Sequence, residues 1–463
     1  MILYRILRRV ARIALAWYYT DLEVERRDQV PSHGPVLVVA NHPNALVDAM
    51  VIAVTMPRRV LLTAKATLFE QPLLAALLHA VGVVPLRRAK DEQAATSGPM
   101  ATRNSEAFRA VTDALARGGV VLVFPEGISH DAPTLAPLRT GAARMALMAH
   151  AGGVSGLRLM AVGLIYEEKE RPRSRILTRF DTPLELDAWL AAHDADAAVL
   201  TAELEARLRR VTLNFASQER ARDAMQLART MDALGGHVPS LDHPRQLALQ
   251  ASLARRVDDA SEALTRAPAS VVARARTLIA DTEALQHRLR ARGVSLSELR
   301  ISPALAPGAW FLLRETMLLA LAAPVALVDR IAHDIPVRIA RAHARRSLAR
   351  DPSRDQPAMQ TILVAAALLL VWYAIIGVIL AYWLGWIVAL LALAVMLMSA
   401  SAELALRDRL RRAWRRARTY LALRADPALR TTALAEADRL AGNASTLEIE
   451  LRERSGESVP SAG

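Results

Sequence analysis

Between Gln356 and Ala402 the chain carries no charged side chain: "QPAMQTILVAAALLLVWYAIIGVILAYWLGWIVALLALAVMLMSASA". Few folds accommodate about 47 such residues in a row. One bilayer crossing takes about 20 predominantly apolar residues, so the run fits two crossings joined by a tight turn. The turn belongs at "AYWLGW" (Ala381–Trp386), where Gly385 permits a bend and Tyr382, Trp383 and Trp386 suit a membrane interface. Arginine crowds both flanks, "RIARAHARRSLAR" before and "RDRLRRAWRRAR" after. By the positive-inside rule both ends then lie in the cytoplasm. The alternatives are a buried helical hairpin in a soluble core and a shallow hairpin that does not cross fully.

The N-terminus, "MILYRILRRVARIALAWYY", is also basic and apolar, but its longest apolar run is short and no small-residue cleavage site follows. At helical period Leu3, Ile6, Val10, Ile13, Ala14 and Trp17 share a face opposite Arg5, Arg8, Arg9 and Arg12. This pattern predicts an amphipathic membrane-surface helix over residues 1–20; an ordinary surface helix packed on the domain is the alternative. The whole chain carries +13 at pH 7, a balance that attracts nucleic acid, anionic lipid or a phosphorylated substrate. It has no cysteine, which excludes disulfides, thiolate metal sites and a cysteine nucleophile.

At 463 residues the chain is long for one domain and suggests two or three. Residues 21–190 alternate short apolar runs with helical patterns, as an α/β domain does. "GPVLVVAN", "RVLLTAK", "GVVPLRR", "GGVVLVFPEG" and "LRLMAVGLIYE" read as buried strands, with helices between them at "DAMVIAVTM", "QPLLAALLHAVG", "SEAFRAVTDALARG" and "GAARMALMAHAGG". Residues 191–305 read as a helical segment, and "ISPALAPGAW" marks its boundary with a membrane region at 306–425. Within that region the two helices of the hairpin are expected near 360–381 and 386–403. "MLLALAAPVALV" (Met317–Val328) is short and broken by proline, which predicts an interfacial or re-entrant segment. Residues 426–463 are expected to be helical and then disordered, fraying from about Gly442.

The chemistry begins at "NHPNALVD" (Asn41–Asp48), which lies between two apolar runs. A residue before proline is pushed toward extended geometry, and proline is welcome in a first helical turn. The strand should therefore end near Asn41, His42 should occupy the turn, and a helix should begin at Pro43 with Asp48 in its second turn. On a continuous helix an i, i+6 pair does not share a face. With His42 outside the helix, its ring can fold back so that the carboxylate holds one nitrogen and leaves the other free to accept a proton. Taken alone, the spacing leaves a structural histidine and a helix-surface aspartate as the plainer alternative. A second motif ends the strand "GGVVLVFPEG" with Phe124-Pro125-Glu126-Gly127. There a carboxylate can accept from substrate hydroxyls, and Gly127 allows backbone approach. In "GVVPLRRAKD" Arg87 and Arg88 follow a strand-like run, and guanidinium forks suit phosphate. Together the three suit a phosphorylated polyol.

These blocks, in this order, resemble the glycerolipid acyltransferases that act on glycerol 3-phosphate and lysophosphatidate. The resemblance rests on "NHPNALVDAM", "GVVPLRRAKD", "FPEGISHD" with "LRTGAARMAL", and "LMAVGLIYEEKERPRSR". It implies an α/β fold with a mixed central sheet flanked by helices, followed here by the helical segment and the C-terminal transmembrane helical hairpin. It also implies that His42 is the general base and Asp48 its partner. Arg88 would bind phosphate, and Phe124, Pro125, Glu126 and Gly127 would line the glycerol side. Arg87, Arg173 and Arg175 are weaker phosphate candidates. No metal and no cofactor is implied; the co-substrate is an acyl-coenzyme A or acyl-carrier-protein thioester. Five residues separate His42 from Asp48 where the commonest family spacing is four, and Ala161 stands where the fourth block usually has proline. The longer spacing is similar to the branch of fungal glycerol-3-phosphate/dihydroxyacetone-phosphate acyltransferases and their bacterial relatives. That branch also shares the "RSR" at Arg173–Arg175 and a late hydrophobic hairpin.

The activity expected is acyl transfer to the sn-1 hydroxyl of glycerol 3-phosphate. A lysophosphatidate or other lysophospholipid acyltransferase is the alternative within the class, and a non-catalytic lipid-binding scaffold the alternative outside it. The expected partners are membrane lipid, the acyl carrier and glycerol 3-phosphate, with no nucleic acid, because no recognisable module for it is present. An integral membrane protein with its catalytic domain on the cytoplasmic face follows from the arginine-rich flanks. If Arg88 grips phosphate as a fork, Arg88→Lys raises KM for the phosphorylated acceptor and leaves KM for the acyl donor unchanged. An equal rise in both, measured by initial-rate kinetics, removes Arg88 from the phosphate site.

Overall fold

Residues 36–40, "VLVVA", offer no polar side chain to either face of a sheet, so a strand made of them needs cover on both sides. It has that cover in the computed structural model of the chain, which describes residues 2–65, 69–70, 75, 83–86, 100–236, 247–302, 304–348, 357–399 and 402–455. In chain order the first elements are helix α1 (Ile2–Tyr18), strands β1 (Asp21–Glu25) and β2 (Val36–Ala40), helix α2 (Ala45–Thr55), and strands β3 (Val60–Lys65) and β4 (Val84–Leu86). Helix α3 (Met100–Ala116), strand β5 (Val120–Val123), helix α4 (Gly141–Ala151), and strands β6 (Arg158–Tyr166), β7 (Arg175–Phe180) and β8 (Leu184–Glu185) follow. Helices α5 (Leu186–Leu190) and α6 (Ala197–Val211) complete this part.

The strands form one sheet in the order β1-β7-β6-β2-β5-β3-β4, with β8 also on β6. Pairing is parallel except where β7 and β8 meet β6, so the sheet is mixed and helix-flanked, as the sequence led us to expect. All five side chains of β2 have 0% exposure. Leu37 and Val39 pack with Val121, Val123, Leu159 and Ala161 against α3, α4 and α6. Val36, Val38 and Ala40 pack with Val120, Leu122, Met160 and Val162 against α1 and α2. Period-two alternation thus builds two cores from one set of strands.

Several elements differ from the sequence expectation. Strands β1, "DLEVE", and β7, "RILTRF", interleave charge with apolar residues; their charges find partners within the sheet, as Arg179 does with Glu25 at 2.5 Å. Helix α2 begins at Ala45 rather than Pro43, which places Asp48 in its first turn. Helix α1 uses two faces. Tyr4, Leu15 and Tyr18 are buried against the domain, and Arg8 donates to the carbonyls of Val54, at 3.1 Å, and Met56 at the end of α2. Arg8 therefore does not share an outward polar face, while Ile2, Ile6, Val10 and Ile13 stay exposed. Most of the helix expected at "QPLLAALLHAVG" lies outside the described residues.

After β8 the described residues are helical: α7 (Gln218–Leu234), α8 (Leu247–Thr265), α9 (Ala269–Ala291), α10 (Leu305–Leu348), α11 (Pro357–Leu384), α12 (Trp386–Ser399), α13 (Ala402–Ala425) and α14 (Pro427–Ser455). The chain divides into two compact units, Met1–Asn214 with Pro336–Trp372, and Phe215–Ile335 with Tyr373–Gly463. In the second, Leu234, Leu285, Leu289, Leu423, Ala437 and Leu440 share a core. Helix α14 continues through Gly442, where fraying was expected, because Leu451 is buried and Glu448 pairs with Arg256 of α8 at 2.7 Å.

The membrane region also departs from expectation. Helix α10 is continuous through Met317–Val328 and through Pro324 and Pro336, so the proline does not break that stretch. Among the described residues, Leu305–His343 and Thr361–Leu384 are long and apolar enough to cross a membrane. Only 6% and 11% of their apolar windows are buried, which does not suit core helices of a soluble protein. The break after α11 falls at Gly385. Helix α12 is apolar over its described residues, Trp386–Ser399.

One close approach limits what the sheet can bear. A Cβ on Gly163 of β6 would lie 2.1 Å from the carbonyl oxygen of Val211, at the end of α6. Gly163→Ala must push α6 off the sheet, and we expect a loss of about 1–3 kcal/mol, the usual cost of overpacking. An unchanged melting temperature would show that the helix yields freely.

Candidate functional site

Strands β5, β2 and β6 are neighbours and run parallel, so their carboxyl ends open on the same edge of the sheet. That edge is where α/β sheets place their ligands. Phe124–Gly127 follow β5, Asn41 and His42 follow β2, and Tyr166 is the last residue of β6. The Asn41 side chain ends the pairing of β2 with β6: its Nδ2 donates to the Leu164 carbonyl at 2.9 Å, and its Oδ1 accepts from Leu164 N–H at 2.7 Å. A side chain replaces the backbone in the ladder, which frees the chain to turn at His42.

His42 Nδ1 lies 3.0 Å from Asp48 Oδ2. Asp48 has 0% exposure and is held by further donors: Asn44 N–H to Oδ2 at 2.7 Å, and Tyr166 O–H to Oδ1 at 2.6 Å. Burial, followed by the charge of Asp48, drives the Tyr166 pKa well above the usual phenol value, so Tyr166 remains a donor. Tyr19, whose own pKa is raised mainly by burial, accepts from Asn44 Nδ2 at 3.0 Å and extends the network. With the carboxylate accepting at Nδ1, the neutral ring carries its hydrogen there and keeps the Nε2 lone pair. Nε2 has no hydrogen-bond partner among the described residues, and the His42 side chain is 11% exposed. The Phe124 ring stacks on the imidazole, with centroids 3.9 Å apart and planes 13° apart, and fixes its tilt.

Glu126 is not placed as the sequence suggested. It is 2% exposed, and both oxygens are occupied. Oε1 accepts from the His42 backbone N–H at 2.9 Å; Oε2 accepts from Ala136 N–H at 3.0 Å and faces His130 Nε2. A carboxylate so fully supplied with protein donors holds the loop and has little left to offer a glycerol hydroxyl. Gly127, at φ 70°, reverses the chain there, and a Cβ on it would meet Arg139 Nε at 3.0 Å. Pro125 contributes its carbonyl, which accepts from Arg139 N–H at 2.9 Å.

Of the phosphate candidates, Arg87 and Arg88 lie outside the described residues. Arg173 donates to the carbonyls of Ala16, Trp17 and Tyr19 and so caps the end of α1. Arg175 is 8% exposed and paired with Glu167 at 2.9 Å. Burial works against its charge, yet the Glu167 hydrogen bond and charge raise its pKa. Both guanidiniums are engaged by the protein itself. Among the described residues no group of three His, Asp or Glu side chains converges as a metal site requires.

Residues the sequence did not single out complete the site: Tyr166, Asn44, Ser129, His130 and Lys169. Ser129 Oγ accepts from Ala45 N–H at 3.0 Å, and Lys169 Nζ donates to the Pro43 carbonyl at 2.7 Å while pairing with Asp131 at 2.8 Å. The only signal in the sequence was "SHD", one residue after the glycine of "FPEG". Tyr166→Phe removes a donor from a fully buried carboxylate, a loss of about 1–3 kcal/mol. We expect kcat to fall about tenfold or more with a lower melting temperature; wild-type values for both would detach Tyr166 from the site.

Residues 21–162 match the family model described as Acyltransferase. Glycerol-3-phosphate O-acyltransferase 2 of Saccharomyces cerevisiae is 39% identical over 85 residues, which is 18% of this chain and 11% of that protein. An uncharacterized acyltransferase of Schizosaccharomyces pombe is 38% identical over 80 residues, 17% of this chain and 12% of that protein. The matched segments are thus about a tenth of the length of these curated relatives. The crystal structure of the 1-acyl-sn-glycerophosphate (LPA) acyltransferase of Thermotoga maritima aligns with a TM-score of 0.35 and 18% identity, covering 45% of this chain and 78% of that one. The family match runs from β1 into β6 and contains both the His42 turn and the Glu126 loop: residues 21–162 are similar to an acyltransferase domain.

Proposed function

We propose that the protein is a membrane-bound O-acyltransferase that moves a fatty acyl group from a thioester to the sn-1 hydroxyl of glycerol 3-phosphate. The observation that carries this reading is the His42–Asp48 pair, with Nδ1 held at 3.0 Å and Nε2 left without a partner among the described residues. Nε2 takes the proton of the acceptor hydroxyl as its oxygen attacks the thioester carbon. Asp48 holds the imidazolium that results. The tetrahedral intermediate expels the thiolate, and the proton passes from Nε2 to that sulfur, giving the ester and a free thiol. No acyl-enzyme forms, and the ring returns neutral.

The choice of glycerol 3-phosphate is supported by the longer His42–Asp48 spacing and by the name of the Saccharomyces cerevisiae relative. The thioester is that of coenzyme A or of acyl carrier protein, and the arginine-rich surface suits either. Membrane attachment is supported by the exposed apolar faces of Leu305–His343 and Thr361–Leu384. The arginine-rich flanks favour the cytoplasmic face for the catalytic domain.

Loss of a positioned general base costs about 10²–10⁴-fold, so His42→Ala should lower kcat by that much in protein reconstituted into lipid vesicles. Activity within a few-fold of wild type removes the base. A panel of glycerol 3-phosphate, dihydroxyacetone phosphate and lysophosphatidate, each offered with an acyl thioester, should show glycerol 3-phosphate consumed fastest. Faster consumption of lysophosphatidate would move the assignment to the second acylation.

A further inference from the structure

The turn that carries His42 is built without regular secondary structure. Residues 41–44 lie between β2 and α2, and Ala45, which opens the helix, has φ 47°, a left-handed conformation that costs a non-glycine residue on the order of 1 kcal/mol. Such a turn holds a ring in place only if its own backbone groups are fastened. Asp48 takes the Asn44 N–H, and the groups on either side of His42 are fastened by the segment Glu126–Asp131. Glu126 takes the His42 N–H at 2.9 Å, and His130 N–H donates to the His42 carbonyl at 3.3 Å. Ser129 takes the Ala45 N–H, and Asp131 holds Lys169 on the Pro43 carbonyl.

Within this segment His130 touches His42 twice, once through its backbone and once through Glu126. Its Nδ1 accepts from Ala132 N–H at 3.1 Å, so the neutral ring carries its hydrogen on Nε2, aimed at Glu126 Oε2. An Nε2–H is present whether the ring is neutral or charged, so this donor persists across pH. The groups facing the ring are Glu126, Asp131 and Lys169. Glu126 is 2% exposed and cannot obtain the missing hydrogen bond from bulk water without moving. If it moves, the His42 N–H is released.

We propose that His130 is a positioning residue for the acyl-transfer base: its Nε2–H holds Glu126 in the rotamer that fastens the His42 backbone, and so sets where His42 Nε2 meets the acceptor hydroxyl. This rests on the function proposed above. His130 touches neither substrate nor the reacting atoms; it acts through Glu126. Misplacing a catalytic group by about 1 Å costs on the order of 10²-fold, and the loss falls on kcat because substrate contacts are unchanged.

The test compares wild type, His130→Ala and His130→Gln in full-length protein reconstituted into lipid vesicles, with acyl-coenzyme A and glycerol 3-phosphate. Gln places an amide N–H near the position of Nε2. We expect His130→Ala to lower kcat about 10- to 100-fold with both KM values within about twofold, and His130→Gln to recover most of the loss. If His130→Ala does not fold, His130→Leu fills the space without a donor and supplies the same contrast with His130→Gln. Equal impairment of the variants with and without the donor overturns the proposal, as does a kcat close to wild type in both. A loss expressed in KM overturns it too. A wild type that acylates no acceptor overturns the parent reading and this one together, whereas an active wild type with an indifferent His130 overturns this one alone.

Discussion

Asp48 has 0% exposure, so water cannot supply its hydrogen bonds and the protein must provide them. It does so from separate places in the chain: the His42 ring, the Asn44 amide and the Tyr166 hydroxyl. The last of these lies 118 residues away. Each donor is fixed in turn, His42 by stacking on Phe124 and Tyr166 by burial at the end of β6. Because Asp48 occupies the first turn of α2, the positive end of that helix also faces it. The imidazole is therefore aimed by a charge that has no other orientation available. The base chemistry proposed for Nε2 depends on this.

Parallel strands make the arrangement possible. Were β2 antiparallel to β5, the His42 turn and the Glu126 loop would leave opposite edges of the sheet. Parallel pairing puts them side by side, and the hydrogen bond from His42 N–H to Glu126 Oε1 locks one loop to the other. The loop between β6 and β7 enters from the other side of β2 and brings Lys169 to the Pro43 carbonyl. The polar residues of the "FPEGISHD" block thus serve the His42 turn more than they serve an open cleft.

The roles of the arginines divide in a similar way. Arg8, Arg173 and Arg175 looked from sequence like lipid or phosphate ligands, and each is engaged within the fold by carbonyls or a carboxylate. Arginine serves buried carbonyl clusters at helix ends as readily as it serves phosphate, because its fork presents several donors at once. Sequence spacing does not distinguish the two uses. Helix α10 shows the opposite limitation. Pro324 suggested a broken segment, yet a long apolar helix persists through it and through Pro336, as helices in an apolar setting can when neighbouring groups satisfy the freed carbonyls.

What the amino-acid order alone determined was local. The apolar strands β2, β5 and β6 were legible because burial on both faces leaves no room for charge. The turn at Gly385 was legible because a long uncharged run has to reverse somewhere. The placement of His42 on a turn followed from the proline after it. The charged strands β1 and β7 were not legible, since their ion pairs form only between strands distant in sequence. Tyr166 reached Asp48, and the Glu126–His130 loop reached His42, for the same reason: the order β5-β2-β6 and its register bring them together. A single chain cannot announce which distant hydroxyl will meet a buried carboxylate. Only strand order and register decide that, because side-chain periodicity fixes the face a residue lies on but not its neighbour across the sheet.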